Sequence, residues 1–251
     1  MRGYTSPMEQ NNAGGFAETA DIETASDDYA TRFSGAIGAW LLQVQEDATA
    51  RMLADYPGAR VLDVGGGHGQ LTPYLARNGF EVTVTGSAEV CKRRLEPYLG
   101  NGQCEFEVAN HLALPYDDRS FDIVLSYRLL THVTRWRELV AELSRVADRA
   151  VIVDFSSVRS FNYIAPQLFK LKKKVEVNTR PFTCYKESEL LAAFAASGFE
   201  RGDRYPQFCL PMAFHRLVGS PGFSSFKEGV LRGIGFTSMF GSPVVLKMVR
   251  R

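Results

Sequence analysis

The chain has 251 residues, of which 45% are hydrophobic and 23% are charged, values close to those of globular proteins. This length fits one α/β domain with insertions, or a domain with a small cap. The 29 basic residues nearly cancel the 28 acidic ones, giving a net charge of +1, so the overall field does not favour nucleic acid as a partner. No apolar run reaches about 18 residues and the N-terminus lacks the apolar core of a signal peptide, so we expect a cytoplasmic protein.

The cysteines are scattered along the chain without a C-x-x-C pair, at Cys91, Cys104, Cys184 and Cys209. Closely spaced pairs are what a structural zinc site needs, and a disulfide framework is typical of short secreted chains. We therefore expect reduced thiols that behave mostly as small buried hydrophobes, and no metal centre.

The N-terminal region divides into two parts. Residues 1–26 are rich in glycine, asparagine, glutamate and threonine, so we expect a flexible leader there. Over residues 27–58, apolar side chains recur every three or four positions, which predicts one or two amphipathic helices, with Gly35 and Gly38 as the points where they break.

The central feature of the chain is a strand, a glycine turn and a helix. Residues 61–64 form a short apolar run, interrupted only by Asp63, and the run stops abruptly at glycines. Leu71 and Leu75 then recur at helical spacing. Such a turn presents backbone N–H groups at a helix N-terminus and lets part of a ligand approach the backbone closely, above all at Gly67.

Further strands and helices alternate along the rest of the chain, which predicts a mostly parallel, doubly wound α/β sheet. Ser87 is a candidate N-cap for the helix after the second strand. We predict strands at 82–85, 104–108, 121–127, 150–155, 199–208 and 244–249, and helices at 138–146 and 186–197.

The glycine spacing separates the ligands that use such a turn. A P-loop needs Gly-Lys-Ser/Thr, which is absent, and the dinucleotide fingerprint needs a glycine where Gln70 stands. The remaining pattern, Asp-x-Gly-x-Gly-x-Gly, resembles the first motif of the class I S-adenosylmethionine-dependent methyltransferases. The resemblance implies that the turn passes under the methionine part of the cofactor and that Asp63 helps to hold its ammonium group.

A second stretch supports this resemblance. Residues 109–124 are similar to the family's run of apolar-Pro-aromatic, acidic turn and Ser-Phe-Asp before the fourth strand. There Asn110 stands where the family often has aspartate, and its side-chain oxygen is expected to accept from the adenine amino group. The backbone N–H of His111 would donate to the adenine ring, and Leu112 would form an apolar wall.

One position departs from the family. An acid that binds both ribose hydroxyls usually follows the second strand, but here that position corresponds to Gly86, with Ser87 next to it. Ser87 offers a single hydroxyl in place of a carboxylate. The missing acid, together with Asn110, leaves open a methyltransferase-like scaffold that binds the cofactor weakly or not at all. An NAD-dependent oxidoreductase is the alternative with less support, because it would also need an acid at the Gly86 position and a glycine at Gln70.

The resemblance implies a Rossmann-like sheet of seven strands, the last antiparallel, with residues 27–58 as a helical lid and 59–251 as the methyltransferase domain. Candidate catalytic residues, by location and side-chain type, are His132 and Tyr127. Candidate substrate contacts, on the same grounds, are Tyr163 and His215. The implied cofactor-binding residues are Asp63, Gly65, Gly66, Gly67, Gly69, Ser87, Asn110, His111, Leu112, Ser126 and Tyr127.

Two insertions, at about 157–183 and 211–241, are candidates for setting the substrate. Both carry aromatic and aliphatic side chains, so a lipophilic acceptor is expected if these residues line a cavity. If they pack on the sheet instead, they give no information about the acceptor. Contact with a membrane surface is the weaker alternative. The implied function is metal-independent methyl transfer from S-adenosylmethionine to a small molecule, with S-adenosylhomocysteine as product; the oligomeric state stays open.

Overall fold

The structure, a computed structural model, describes residues 15–160 and 182–251. Within these residues one sheet has the strand order β3-β2-β1-β4-β5-β7-β6. Strand β7 is antiparallel to both of its neighbours and the other pairs are parallel. This confirms the predicted seven-stranded fold. The strands are β1 (Arg60–Val64), β2 (Glu81–Gly86), β3 (Glu105–Val108), β4 (Phe121–Ser126), β5 (Ala147–Phe155), β6 (Phe199–Pro206) and β7 (Val244–Arg250).

The helices lie before the first strand and between strands. Short 3₁₀ turns also occur at Gly66–His68, Glu89–Arg94 and Leu130–His132. In the described part of the chain, no helix combines the length and apolar character needed to span a membrane. The helices are α1 (Asp21–Thr24), α2 (Asp27–Thr31), α3 (Gly35–Leu53), α4 (Thr72–Arg77), α5 (Glu96–Leu99), α6 (Trp136–Val146), α7 (Glu187–Ala196), α8 (Met212–Val218), α9 (Pro221–Gly233) and α10 (Phe236–Phe240).

Both faces of the sheet are buried, as alternating strand residues show. In β5, Val151 and Val153 join the core under α6 and α7, whereas Ala150 and Ile152 join the core under α3 and α4. A strand buried on both faces needs apolar residues at nearly every position. This explains why the central strands read as continuous apolar runs.

The sheet order places the carboxyl ends of β1 and β4 at the switch point. The chain moves to β2 and β3 on one side of β1, and to β4 and β5 on the other. In open α/β sheets a ligand binds in the crevice at this point. Strand β6 runs parallel to β1, and β7 runs in the opposite direction. The 211–241 insertion, which joins β6 to β7, therefore lies at the edge formed by the carboxyl ends of the parallel strands.

The predicted flexible leader is wrong for residues 15–26. These residues include helix α1, and both Glu18 and Asp21 are buried against the sheet edge. Hydrogen bonds to residues far along the chain order the segment, which a composition rich in polar and small residues does not reveal. Residues 1–14 lie outside the described part of the chain, as do 161–181 of the first insertion.

Two local predictions are also corrected. Helix α3 runs through Gly38 without a break, and the absent side chain makes room for the backbone of Phe33, since a Cβ would stand 2.1 Å from the Phe33 carbonyl.

Ser87 does not cap a helix. A 3₁₀ turn follows β2, its N-cap is Ala88, and the Ser87 hydroxyl donates to Asp21 instead.

Phe194 tests the core between α6, α7 and the sheet. It is fully buried, so Phe194→Ala should lower the free energy of unfolding by about 3–5 kcal/mol through lost burial and a cavity. The matched control is Phe226→Ala, because Phe226 is 66% exposed and its removal should change stability by less than about 0.5 kcal/mol. Urea denaturation followed by far-UV circular dichroism measures both, and equal losses would contradict the assigned packing.

Candidate functional site

The turn after β1 depends on left-handed backbone conformations. Gly65 has φ of 76° and Gly69 has φ of 65°, and they bound the 3₁₀ turn Gly66–His68. Residues with a Cβ are strained in this region of backbone space. The turn therefore needs glycine at both ends, whatever ligand it holds.

The two glycines inside the turn are bare for a different reason. A Cβ on Gly66 would stand 2.2 Å from Oδ2 of Asp63, and a Cβ on Gly67 would stand 2.6 Å from the carbonyl oxygen of Cys91. We expected that the missing side chain of Gly67 leaves room for a ligand. This expectation is wrong, because protein atoms occupy the space that a side chain would fill. A larger residue at Gly67 would disturb the fold as well as any bound ligand.

Asp63 is a buried carboxyl group at the end of β1. Its side chain is fully buried under the turn, and neither oxygen has a hydrogen-bond partner among the described residues. Burial raises the pKa of Asp63 to about 7 because the charged form loses its water. An orphaned buried carboxyl group of this kind marks a place where a ligand supplies the missing donors.

Other unpartnered polar atoms surround the same edge. They belong to Thr72 at the start of α4, to Thr85 in β2, and to both ring nitrogens of His111 after β3. Burial lowers the pKa of His111, which favours its neutral form. Together with Asp63 these groups give the ends of β1, β2 and β3 a polar lining that the described protein atoms leave unsatisfied.

The N-terminal segment crosses this edge. Oε1 of Glu18 accepts hydrogen bonds from the backbone N–H groups of Thr134 and Arg135, at 2.9 and 2.8 Å. The Asp21 carboxylate accepts from the backbone N–H of Ser87 at 2.7 Å and from its hydroxyl at 2.5 Å. The segment thus covers the carboxyl ends of β2 and β4.

The remaining predicted cofactor residues occupy this edge in different ways. Oδ1 of Asn110 accepts from the backbone N–H of Leu112 at 3.1 Å, so this oxygen first closes the local turn and only its second lone pair is left for adenine. Leu112 packs partly against the core. The Ser126 hydroxyl donates to the carbonyl of Val64 at 3.1 Å and so ties the end of β4 to the end of β1.

Tyr127 does not suit the predicted catalytic role. Its ring is fully buried in the core under α3, and its hydroxyl oxygen accepts from Thr49 at 3.1 Å. Burial raises the pKa of Tyr127 well above its ordinary value, so the phenol stays protonated. A buried, protonated phenol packed in the core is a structural residue, and the structure argues against Tyr127 as a base.

The other predicted catalytic and substrate residues are spread over the edge. His132 ends the 3₁₀ turn after β4, is half-buried, and packs edge-on against Phe182 at 5.7 Å between ring centroids. His215 is buried in the cap formed by α8 to α10, where Nε2 lies 3.0 Å from Oε1 of Glu228. Glu228 also accepts from two backbone N–H groups, so this pair joins α8 to α9. Tyr163 lies outside the described residues.

A buried ion pair between Arg128 and Asp154, at the ends of β4 and β5, was not predicted from the sequence. The backbone N–H of Arg128 donates to Oδ1 of Asp154 at 2.7 Å, and its guanidinium donates to Oε1 of Gln45 on α3 at 2.6 Å. Burial raises the pKa of Asp154 and the Arg128 charge opposes that shift. Asp154 stands near the carboxyl end of a strand, where ligand-binding residues are expected in an α/β sheet, so the sequence could have identified it. The sequence gives no comparable indication for Arg128, whose φ is 62°.

Comparisons with known proteins show the family to which the chain belongs. The family model described as "Methyltransferase domain" matches residues 62–152. A demethylmenaquinone methyltransferase from Clavibacter sepedonicus is 31% identical over 202 residues, which cover 72% of this chain and 81% of that protein. The chain belongs to the class I S-adenosylmethionine-dependent methyltransferases. The methyltransferase also resembles 24-methylenesterol C-methyltransferase 2 from Arabidopsis thaliana, at 24% identity over 74% of this chain but only 47% of that protein.

A solved structure agrees with the fold of this methyltransferase. Magnesium protoporphyrin IX methyltransferase from Synechocystis PCC 6803, with bound SAH, matches with a TM-score of 0.63 at 17% identity, covering 90% of this chain and 94% of that one. As a member of this family, the enzyme uses S-adenosylmethionine and forms S-adenosylhomocysteine. The scaffold and NAD-dependent alternatives find no support in these comparisons.

The buried Asp63 carboxyl group makes stability depend on pH. Its pKa is about 7 in the folded protein and about 4 in the unfolded chain, so between these values the folded state binds more protons and stability falls as the pH rises. Asp63→Asn removes this effect. Without ligand, the variant should gain up to about 4 kcal/mol over the wild type at pH 8, with the gain shrinking as the pH falls to about 4.

Urea denaturation across this pH range measures the gain. The matched control is Asp117→Asn, because Asp117 is exposed in the turn before β4. A difference between Asp63→Asn and wild type that stays constant from pH 4 to 8 would contradict the burial of this carboxyl group.

Proposed function

We propose that this methyltransferase acts on a lipophilic acceptor and that the cap formed by α8, α9 and α10 contacts the acceptor's apolar part. The observation that carries the proposal is the distribution of side chains on helix α9, where polar residues are buried and apolar residues are exposed. Its buried side chains, Ser224 and Glu228, are polar. Its apolar side chains face outward, with Phe223, Phe226 and Val230 exposed by 45%, 66% and 49%. Surface helices of globular proteins ordinarily have the opposite arrangement.

The neighbouring helices of the cap extend this apolar surface. Large exposed apolar patches are typical of interaction sites and ligand-binding grooves. The cap lies at the same edge of the sheet as the glycine turn, so it is placed to meet an acceptor there. The further exposed members are Leu217, Val218, Ile234, Phe236 and Met239.

The relatives support a lipophilic acceptor. The Clavibacter protein is named for demethylmenaquinone and the Arabidopsis protein for 24-methylenesterol, both of which are largely hydrocarbon. Among these, the demethylmenaquinone enzyme is similar over most of both chains. We therefore take a prenylated naphthoquinol as the first acceptor class to test.

We propose that the methyl donor binds at the glycine turn. S-adenosylmethionine supplies a methyl group on a sulfonium that is already electrophilic. We propose that Asp63 binds its ammonium group at the turn of Gly65, Gly66, Gly67 and Gly69, because the carboxyl group is buried and has no hydrogen-bond partner among the described residues. His111 and Asn110 remain the proposed adenine contacts. With this chemistry, the protein's main contribution to rate is in-line positioning and the exclusion of water.

An acceptor hydroxyl or ring carbon must lose a proton when it takes up the methyl group. We propose His132 as the residue that accepts it, because the imidazole follows β4 at the switch point and is only half-buried. Histidine is suited to this role because its ordinary pKa lies near neutral pH.

The acceptor class is tested with a matched pair of naphthoquinols, one with a prenyl chain and one without. Replacing the three outward residues together, by Phe223→Ser, Phe226→Ser and Val230→Ser, should raise KM for the prenylated acceptor about 10-fold because apolar contact is lost. KM for the unprenylated acceptor and the dissociation constant of S-adenosylhomocysteine should change little.

The control is Val90→Ser, which removes an exposed apolar side chain near β2, at the other end of the sheet. It should leave both acceptor constants unchanged. Equal KM values of the wild type for the two naphthoquinols, unchanged by the triple replacement, would contradict the proposed contact.

His132→Gln should lower kcat about 100-fold with little change in KM, since a general base contributes roughly 10²–10⁴-fold. The loss should shrink with a more acidic acceptor, because its hydroxyl ionises without help. Steady-state kinetics at several pH values measure both effects. The same loss with both acceptors would assign His132 a structural role instead.

A further inference from the structure

The carboxyl end of β2 has no room for an acidic side chain. A Cβ on Gly86 would stand 2.6 Å from Cβ of Cys91 and 3.0 Å from the ring of Phe106. These neighbours are a core residue and an aromatic ring, which cannot yield without repacking. The position from which this fold ordinarily holds the ribose is therefore closed to a carboxylate in this chain.

A carboxylate reaches the same place from another element. Asp21, on α1, is 1% exposed, and both of its oxygens accept hydrogen bonds from Ser87, the residue after β2. Oδ2 also lies 3.3 Å from the thiol of Cys91, whose backbone packs against Gly67 of the glycine turn. Asp21 is thus located between the end of β2 and the turn.

Contacts outside the site hold Asp21 in this position. On one side, Glu18 accepts from the backbone N–H groups of Thr134 and Arg135. On the other, the Arg94 guanidinium donates to the carbonyl oxygens of Ala25 and Ser26 and to the carboxylate of Asp27. The segment 18–27 is therefore anchored at both ends.

The Asp21 carboxylate has unused capacity for hydrogen bonds. Among the described residues, the only basic nitrogen within 4.0 Å is Nε2 of His111, at 3.9 Å, and burial lowers the pKa of that imidazole. A buried carboxylate without a cation is costly, and each of its oxygens can accept more than one hydrogen bond. A vicinal diol, which donates two, would satisfy it.

We propose that Asp21 binds the two ribose hydroxyls of the methyl donor, in place of the acid that the end of β2 lacks. This inference rests on donor binding at the glycine turn. Because Asp21 is buried under its own segment, residues 18–27 move away to admit the donor and carry the carboxylate back as they close.

The test is a binding cycle measured by isothermal titration calorimetry without any acceptor. Wild type and Asp21→Asn are each titrated with S-adenosylhomocysteine and with its 2′,3′-dideoxy analogue. Removing the diol should weaken binding to the wild type about 10–100-fold, the range for hydrogen bonds to a charged group. Asp21→Asn should weaken S-adenosylhomocysteine binding similarly and should nearly abolish the difference between the two ligands.

The matched control is Glu18→Gln, which loosens the segment but keeps the carboxylate. It should weaken both ligands by a similar factor and so preserve the preference for the diol. Asp21→Asn is first checked by thermal unfolding. If it does not fold, Ser87→Ala, which removes one of the donors that orient Asp21, should reduce the preference for the diol.

The outcomes separate this inference from the proposed function. Tight binding to the wild type with an unchanged diol preference in Asp21→Asn would overturn the role of Asp21 and leave the acceptor proposal standing. Tighter binding to Asp21→Asn would also overturn it, and would show that Asp21 blocks the site. Because no acceptor is present, an error in the acceptor class cannot alter the result.

Discussion

A carboxyl group buried beneath a bare backbone turn is the constraint on which this structure depends. Asp63 lies in the central strand, and its oxygens fill the space that any side chain on Gly66 would need. The acid in its buried position therefore requires a glycine at residue 66. Such burial opposes stability, and enzymes accept this cost where a site must be ready for a cationic group.

Charge is distributed unevenly along the carboxyl edge of the sheet. Over β1 and β2, Asp63 and Asp21 are buried without a lysine or arginine partner among the described residues. Over β4 and β5, Asp154 is paired with Arg128, which is held in turn by Gln45 of α3. The first half suits a ligand that carries both an ammonium and a sulfonium. The second half is close to neutral and suits an uncharged acceptor.

Local patterns were enough to predict the strands, because a doubly buried sheet forces apolar runs that end at its edge. Most strand bounds agree with the prediction to within two residues, and β5 begins three residues earlier because α6 leads directly into it. The glycine turn and Asp63 were also found in this way, since their residues are neighbours in the chain. The methyltransferase assignment follows from the same local motif together with the stretch 109–124.

Contacts between distant residues could not be predicted. Asp21 and Ser87 are 66 positions apart, and the leader's composition indicates disorder until its hydrogen-bond partners are known. The same holds for Tyr127, which stands at a strand end as a site residue would but points into the core toward Thr49, 78 positions away. In α9 the sequence shows apolar residues at helical spacing, yet only the fold reveals that this face points outward.

The path of the N-terminal segment has a consequence for the kinetic order of the reaction. Its anchors on Thr134 and Ser87 place it across the ends of β2 and β4, on either side of the glycine turn where we propose that the donor binds, whereas the cap lies between β6 and β7. A donor enclosed by that segment cannot leave while the acceptor exchanges freely on the other side. The enzyme would then follow a compulsory kinetic order, in which S-adenosylmethionine binds first and S-adenosylhomocysteine dissociates last.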